Sequence, residues 1–307
     1  MKSIFYQAKY KIIILTLLVG LPIVTIYLIQ ATSQSIENSV NQEISRTTQI
    51  IAFEQESWVF RTRQLLETLS YTSEVKSGNT KTCTEFLTNI ITLYPHYTNL
   101  GVISLDGNVW CSVVPLMGEV NLADRSWFKK VTKDQTFTIG EFQFGVISKK
   151  NIVVFSSPVF DSKNQIKYIV SAGLDLRWLQ EVSEQLDLPE GSVTFVIDRK
   201  GLILSRTPNG EDWVGKSFPD SILLKEILTS KTGTFETAGL DGVERIFSFT
   251  SLSGLSNDIF SVIGIPKSFV NAQIRNIAYN YLALLALFLI VFSIIFWGYK
   301  RQKEQSA

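Results

Sequence analysis

The sequence contains a single histidine, His96, among 307 residues. A metal site built from two or more imidazoles is therefore excluded, and His96 is the one candidate base for a Ser–His or Cys–His pair. The chain also lacks a Walker loop, a protein-kinase signature and a G-x-S-x-G elbow. These absences predict a protein that is not an enzyme, with no catalytic residue, no metal ligand and no cofactor.

Charged residues are scarce as well. Asp, Glu, Lys and Arg make up 19% of the chain, below the roughly 25% of a typical soluble domain. The net charge is +1, so the chain lacks the basic surface of a nucleic-acid-binding protein, and no nucleic-acid partner is expected. Two stretches, 12–36 and 276–299, contain no charged residue at all.

These two uncharged stretches are long enough to cross a membrane. About 20 apolar residues, each rising about 1.5 Å along a helix, span about 30 Å of hydrocarbon. The pattern predicts transmembrane helices at 12–32 and 277–299, in contact with membrane lipid. A cleaved signal peptide is the alternative for the first, although its apolar run is longer than a typical signal core and no A-x-A site follows it.

The charges beside the two spans predict their orientation. Three lysines precede the first span, and two lysines and an arginine follow the second. Basic residues remain on the cytoplasmic side. Segments 1–11 and 300–307 are therefore predicted to be cytoplasmic, and the central part of the chain is predicted to be exported across the membrane.

Proline and glycine are missing between Pro22 and Gly78, which favours one long stalk helix over residues 33–76. Its apolar residues recur at Ile36, Val40 and Ile44 and then, every seven residues, at Ile51, Trp58 and Leu65. A spacing of seven is typical of a coiled-coil seam. The stripe therefore predicts either a homodimer through this helix or a helix that packs along its own domain.

Only two cysteines are present, Cys83 and Cys111, and both lie in the predicted exported loop. An even number of cysteines in an oxidising compartment favours a disulfide. The alternative is two unrelated buried thiols.

The exported part is organised as a repeat of strands and helices. Two apolar runs surround Asp106-Gly107, which is a hairpin pair, and three further strands and a helix follow. The same order returns about 93 residues later, with Ser112 expected to correspond to Ser205. We predict an α+β fold with two tandem modules at 77–188 and 189–267, each built on a five-stranded antiparallel sheet.

Several short motifs in this order resemble the double Cache sensor domain, over about residues 33–275. They are "DGNVWCS", "ADRSWF", "PVFD", "AGLDLRWL", "VIDRKGLILSR" and "WVGKSFPD". This domain is the extracytoplasmic part of many bacterial chemoreceptors, sensor histidine kinases and diguanylate cyclases. The resemblance implies two PAS-like modules, with a small-molecule ligand bound in the membrane-distal module.

The resemblance also implies candidate ligand-binding residues. Members that bind amino acids carry a Tyr, an Arg-x-Trp-Tyr run, another Tyr and a later Asp. This chain supplies Arg125, Trp127 and Asp175, with Phe128 in place of a tyrosine and Val120 where the first tyrosine is expected. An arginine fork suits a carboxylate, and rigid aromatic side chains are typical walls of a ligand site.

Each candidate has a structural alternative. Arg125 can form an ion pair with its neighbour Asp124, and Trp127 and Phe128 can be ordinary core residues. Asp175 can cap the helix that follows it, where aspartate is favoured.

Together with the two spans, the resemblance implies a sensor anchored in a bacterial inner membrane, with its central domain periplasmic or extracellular, whose ligand is a small molecule such as a carboxylate or an amino acid. Only eight residues follow Tyr299, so we expect no output domain in this chain and a separate signalling partner. The alternatives are a membrane scaffold protein with a vestigial pocket, or a truncated piece of a sensor kinase or diguanylate cyclase.

Overall fold

The computed structural model describes residues 2–252 and 259–305. Met1, Ser306 and Ala307, at the ends of the two predicted cytoplasmic segments, lie outside the described residues. Asp258, at the start of the last predicted strand, lies outside them as well.

The N-terminal part of the chain is one helix of 70 residues, α1 (Lys2–Tyr71). Thr72 has extended backbone angles, and a separate short helix, α2 (Ser73–Lys76), follows it. The predicted stalk helix over 33–76 is therefore interrupted at Thr72. The next helix, α3 (Thr80–Ile91), begins where the Asn79 side chain accepts a hydrogen bond from the backbone N–H of Thr82, as expected of an N-cap.

The distal module is a five-stranded antiparallel sheet with the order β2-β1-β5-β4-β3. Helices α4 (Ser126–Asp134) and α5 (Arg177–Glu184) accompany it. The five strands are β1 (Tyr97–Ser104), β2 (Val109–Ser112), β3 (Thr138–Phe144), β4 (Asn151–Phe160) and β5 (Ile166–Asp175).

The proximal module repeats this topology, with the order β7-β6-β10-β9-β8. Helices α6 (Gly210–Trp213) and α7 (Ile222–Ser230) belong to it. The predicted tandem repeat of antiparallel sheets is thus confirmed. The strands are β6 (Val193–Asp198), β7 (Ile203–Thr207), β8 (Thr232–Ala238), β9 (Glu244–Ser251) and β10 (Ile259–Pro266).

Strand pairing fixes which positions of the two modules correspond. Ser112 pairs with Gly101 in the first hairpin of the distal module, and Arg206 pairs with Phe195 in the first hairpin of the proximal one. Ser112 therefore corresponds to Arg206 and not, as the sequence spacing predicted, to Ser205. The turn hydrogen bonds that precede these strands, Gly107 to Ser104 and Gly201 to Asp198, define the same register.

Helix α1 packs along both sheets. The apolar stripe that predicted a coiled-coil seam is turned toward the domain itself, because Ile44 and Ile51 are fully buried and Trp58 and Leu65 pack against the core. The two modules share part of this core, which includes Val196 and its neighbours from the proximal sheet. The spacing of seven thus reflects packing within the chain.

The disulfide and the C-terminal helix complete the fold. Cys83 of α3 is bonded to Cys111 of β2, so the predicted disulfide is confirmed. Helix α8 (Lys267–Gln305) leaves the last strand and runs beside α1. Both helices contain a stretch that is long and apolar enough to cross a membrane, and neither stretch is buried in the protein. They are two candidate membrane helices at the ends of the domain.

Candidate functional site

A cavity of about 60 Å³ lies on one face of the distal sheet. Its floor is formed by β1, β4 and β5, its wall by the start of α4, and its rim by the loop 145–148 between β3 and β4. The lining side chains and backbone belong to Asn99, Leu122, Arg125, Trp127, Gln143, Gly145, Val146, Ile147, Ser148, Ile152, Val154, Ser171 and Gly173.

Small residues keep this space open and allow the aromatic wall to approach. A Cβ atom at Gly140 would lie 3.1 Å from the Cβ and Cδ1 atoms of Trp127. On the floor, a Cβ atom at Gly173 would lie 2.8 Å from Thr98 Oγ1 and 3.2 Å from Ile152 Cδ1. Any larger residue at either position would displace the wall or fill the cavity, so the shape of the site depends on these glycines.

The cavity is rich in hydrogen-bond donors. Trp127 Nε1 and Ser148 Oγ are two of eleven buried side-chain atoms that have no hydrogen-bond partner among the described residues. Asn99 Oδ1 is already satisfied, since it accepts from Ser112 Oγ at 3.1 Å and from the Val114 N–H at 3.0 Å. Native proteins satisfy most buried polar groups. Trp127 and Ser148 both line the cavity, so the residues around it bring two unpaired donors to a ligand with acceptor oxygens.

Arg125 adds a positive charge to the same cavity. It is the N-cap residue of α4 and is half-buried. Its Nε atom lies 3.5 Å from Asp124 Oδ1, but the Asp124 carboxylate is mostly exposed. No residue lining the cavity within the described ranges is acidic. The charge of Arg125 is therefore not matched by a buried carboxylate, and the site favours an anionic ligand.

The two predicted aromatic residues have different positions. Trp127 lines the cavity, whereas Phe128 packs in the core beneath it, with the two rings in edge contact at 6.1 Å. Val120 packs against the same core cluster. Phe128 is therefore packed as an ordinary core residue and does not line the cavity. Its predicted contact with a ligand stays a prediction.

The structure does not bring Asp175 into the cavity of Arg125 and Trp127. Asp175 ends strand β5, two residues beyond Gly173, and its Oδ2 atom lies 2.6 Å from Arg177 Nη2 and 3.4 Å from Lys150 Nζ. Its Oδ1 atom accepts from the backbone N–H of Arg177 at the start of α5. Asp175 thus contacts the start of α5, as its structural alternative expected, and the structure does not place it around the cavity that Arg125 and Trp127 line. A ligand-binding role for Asp175 stays a prediction.

Burial alone would raise the pKa of Asp175, but the hydrogen bonds and the charge of Arg177 outweigh burial and lower the pKa below its usual value. Asp175 lines a second, larger cavity of about 620 Å³ between α5, the end of the loop before β4, and the proximal strand β7. Its lining contains both bases and acids, among them Lys150 and Arg177 and also Glu181 and Glu211. This cavity therefore differs from the distal one, whose described lining contains a base and no acid.

Two contributors to the distal cavity, Asn99 and Ser148, were not predicted from the sequence. Asn99 lies within an apolar strand, and Ser148 lies in a loop whose composition gives no sign of a binding role. His96, by contrast, has a structural position: its ring is in edge contact with Trp58 at 4.8 Å, and its Nδ1 atom lies 3.6 Å from Glu181. Across the residues that the structure describes, no group of three or more His, Cys, Asp or Glu side chains could hold a metal ion.

Comparison with known proteins relates the fold of this chain to Cache sensor domains. The Cache domain profile matches residues 30–274. The ligand-binding domain of the Pseudomonas aeruginosa PAO1 amino acid chemoreceptor PctB, solved with L-Arg, is 20% identical and superimposes with a TM-score of 0.59, over 75% of this chain and 97% of that one. The ligand-binding domain of the Pseudomonas fluorescens chemoreceptor CtaA, solved with L-isoleucine, is 15% identical with a TM-score of 0.61, over 79% and 98%.

One protein that is similar in sequence to part of this chain is a kinase. Sporulation kinase D of Bacillus subtilis is 24% identical over 150 residues, which are 44% of this chain and 29% of the kinase. The alignment thus spans less than a third of the kinase. At these identities the likeness to the solved structures shows the fold, and the kinase is a relative of part of this chain.

Proposed function

Since this chain belongs to the Cache domain family, we propose that it is a membrane-anchored extracytoplasmic sensor that binds a small carboxylate in its distal cavity. The observation that carries the proposal is the set of donors around that cavity. Arg125 supplies a guanidinium, and Trp127 Nε1 and Ser148 Oγ supply two buried donors without a partner among the described residues. A carboxylate presents two acceptor oxygens and a negative charge, which this set would match.

The size of the cavity limits the ligand. Typical small-molecule sites have about 300–1,000 Å³, whereas this one has about 60 Å³. One water needs about 10–15 Å³ of cavity volume, so a carboxylate of a few heavy atoms, such as formate or acetate, fits without rearrangement. A larger ligand has to extend out of the cavity or displace the rim loop 145–148.

The absence of an acid from the described lining favours a carboxylate without an amine. PctB and CtaA were solved with amino acids, and a bound ammonium group would need an acceptor with negative charge. In this chain the nearest predicted acid, Asp175, lines the other cavity and is paired with Arg177 and Lys150. We therefore infer that short monocarboxylates are preferred over amino acids.

The test is a size series measured on the 307-residue chain in detergent. Formate, acetate, propionate, butyrate, glycine and alanine are titrated while the melting temperature is followed. Ligand binding to the folded state raises it with concentration. We expect the acids with one or two carbons to give the largest rise and the amino acids the smallest. A larger rise with alanine than with acetate would contradict the proposed preference.

We propose that the two candidate membrane helices anchor the sensor with both termini in the cytoplasm. Basic residues flank both spans on the predicted cytoplasmic side, and α1 and α8 run beside each other. An alkaline phosphatase fusion near Asp187 should be active and one after Ala307 inactive. The reverse result would overturn this topology. A separate signalling partner would receive the signal through these helices.

We propose that the sensor is a homodimer through the outward face of α1. The predicted seam packs within the chain, but Ile50, Phe53 and Phe60 on the opposite face are 55%, 68% and 61% exposed. Phe53 and Phe60 are separated by seven residues, and Ile50 lies three residues before Phe53, as the a and d positions of a heptad require. In a parallel pair this register places Glu56 of one copy opposite Arg61 of the other, with opposite charges.

A charge on this face should separate the copies. We expect Phe53→Glu to lower the dimer fraction of the detergent-solubilised chain, whereas Tyr71→Glu should not. Cross-linking and light scattering measure the dimer fraction. Tyr71 is also strongly exposed, but it lies at the end of α1, beyond the exposed residues Ile50, Phe53 and Phe60. An equal dimer fraction in wild type and Phe53→Glu would exclude this face. A dimer without any carboxylate effect would instead favour the scaffold function.

A further inference from the structure

The face of the proximal sheet that corresponds to the distal cavity is occupied by an ion cluster. Strand pairing matches Gly173, which pairs with Asn99 and Val154, to Gly264, which pairs with Val193 and Phe247. By the same register, Ile152 of the cavity lining corresponds to Arg245, and the rim loop after Gly145 corresponds to the hairpin after Gly239, which contains Asp241. Arg245 and Asp241 of the proximal module thus lie at positions whose counterparts in the distal module line an open cavity.

The cluster consists of one carboxylate between two guanidinium groups. Arg206 Nη2 donates to Asp241 Oδ2 at 2.7 Å, and Arg245 Nη1 donates to Asp241 Oδ1 at 2.6 Å. The side chains of both arginines are 5% exposed, and that of Asp241 is 21% exposed. The Val243 N–H also donates to Asp241 Oδ1 at 3.3 Å. This is the donor arrangement of a carboxylate-binding site.

The cluster fills the available space. A Cβ atom at Gly264 would lie 2.5 Å from Phe247 Cε1 and 3.0 Å from Arg245 Cδ. A Cβ atom at Gly239 would lie 2.8 Å from Arg245 Nη1 and 2.9 Å from Asp241 Oδ1. The side chains of the chain itself therefore occupy the volume where the distal module leaves room for a ligand.

The arginines supply more donors and more charge than the aspartate can match. The cluster carries two positive charges and one negative charge. Arg206 Nε is buried and has no hydrogen-bond partner among the described residues, while its guanidinium carbon lies 3.9 Å from the centroid of the Trp213 ring. Buried ions are seldom needed for stability, since apolar residues of similar size serve equally well, as Ile152 does at the matching distal position.

We propose that Arg206 and Arg245 form a carboxylate-binding site in the proximal module and that Asp241 is its built-in ligand. The proximal module is then held in the packing of a ligand-bound module, and only the distal module responds to an external molecule. When the carboxylate of Asp241 is removed, the site takes a small external carboxylate such as formate.

The test is chemical rescue of Asp241→Ala by formate in the 307-residue chain. Removing one partner of a buried ion group is strongly destabilising, so we expect the melting temperature to fall by about 10 °C. Sodium formate should then raise it by at least half of that loss, relative to sodium chloride at the same ionic strength. Formate bound in the distal cavity would raise the melting temperature of the wild type as well. The rise in Asp241→Ala is therefore expected to exceed the rise in the wild type.

Asp161→Ala is the matched control. Asp161 is also a hairpin aspartate, and its Oδ1 atom accepts from the backbone N–H groups of Lys163 and Gln165. Within the described part of the chain it forms no ion pair with an arginine. Formate should not rescue this variant beyond wild type. If Asp241→Ala does not accumulate as folded protein, refolding yield with formate against chloride replaces the melting temperature. Equal formate effects in Asp241→Ala, Asp161→Ala and wild type, by either readout, would overturn the proposal.

Discussion

The two modules share one topology but differ in the side chains that cover matching positions of their sheets. In the distal module, Ile152 and Val154 leave a small cavity with unpaired donors. In the proximal module, Arg245 and Phe247 at the matching positions close that volume, and Asp241 completes an ion cluster. A repeated fold can thus keep one copy open for a ligand while the other copy is closed by its own side chains.

The largest effect is expected from comparing the two paired aspartates. Asp241 is held by two buried arginines, whereas the partners of Asp175, Arg177 and Lys150, are largely exposed. Asp241→Asn should lower the free energy of unfolding by about 3–5 kcal/mol, and Asp175→Asn by about 1 kcal/mol or less. Thermal and urea unfolding of the detergent-solubilised chain measure both. Equal losses of unfolding free energy would show that the buried arginines do not make Asp241 more stabilising than Asp175.

The second prediction concerns the charge in the distal cavity. A hydrogen bond to a charged group contributes about 1.5–3 kcal/mol, so Arg125→Ala should weaken acetate binding about 10- to 100-fold. Arg125→Lys should restore little of this, because an ammonium group lacks the planar fork. Titration by melting temperature gives the affinities. Arg177→Ala is the matched control outside the cavity, and an unchanged affinity in Arg125→Ala would remove Arg125 from the site.

Acid should act on the proximal module through Asp241. Burial would raise the pKa of Asp241, but the hydrogen bonds from Arg245 and Val243 and the charges of both arginines lower it from 3.8 to about 2. A depressed pKa in the folded state means that the stabilisation is present above pH 3.8 and is lost as the pH falls toward 2. The loss amounts to about 2 kcal/mol.

Melting temperatures of wild type and Asp241→Asn between pH 5 and 2 measure this contribution. The wild type should lose more stability over that range than the variant, since the other carboxylates titrate alike in both. Parallel curves would show that Asp241 does not carry the acid sensitivity.

The smallest effect is expected for the indole donor. Trp127→Phe keeps an aromatic wall and removes only the unpaired Nε1 donor, so acetate affinity should fall about fivefold, equivalent to about 1 kcal/mol. Stability should change little, because the lost donor has no partner in the unliganded site. Trp178→Phe is the control, since Trp178 Nε1 is also buried and unpaired but does not line the cavity. The same loss of affinity in both variants would assign the effect to general packing.

Much of the fold could be predicted because its determinants are local. Turn pairs such as Asp106-Gly107 and alternating apolar runs mark the strands where they occur. The helix break at Thr72 has no glycine or proline near it and was missed. The spacing of Ile44, Ile51 and Trp58 was ambiguous, because a helix that packs on its own sheet needs the same spacing as one that packs on a second copy.

The site was predictable only where its residues are neighbours in sequence. Arg125 and Trp127 are two residues apart at the start of one helix and reach the same cavity. Asp175 lies just beyond the cavity floor, and a shift of two residues along β5 moves its carboxylate to the other cavity. The cluster of Arg206, Asp241 and Arg245 depends on strand register, which the sequence repeat alone placed one residue away.

The most direct test of the account is a titration of the chain with acetate and with acetamide, in wild type and in Arg125→Ala, followed by melting temperature. Acetamide has nearly the same size as acetate but no charge. We predict that acetate raises the melting temperature of wild type in a saturable way, that Arg125→Ala loses this rise, and that acetamide has no effect on either. An equal rise with acetamide, or an acetate effect that persists unchanged in Arg125→Ala, would contradict a carboxylate site in the distal module.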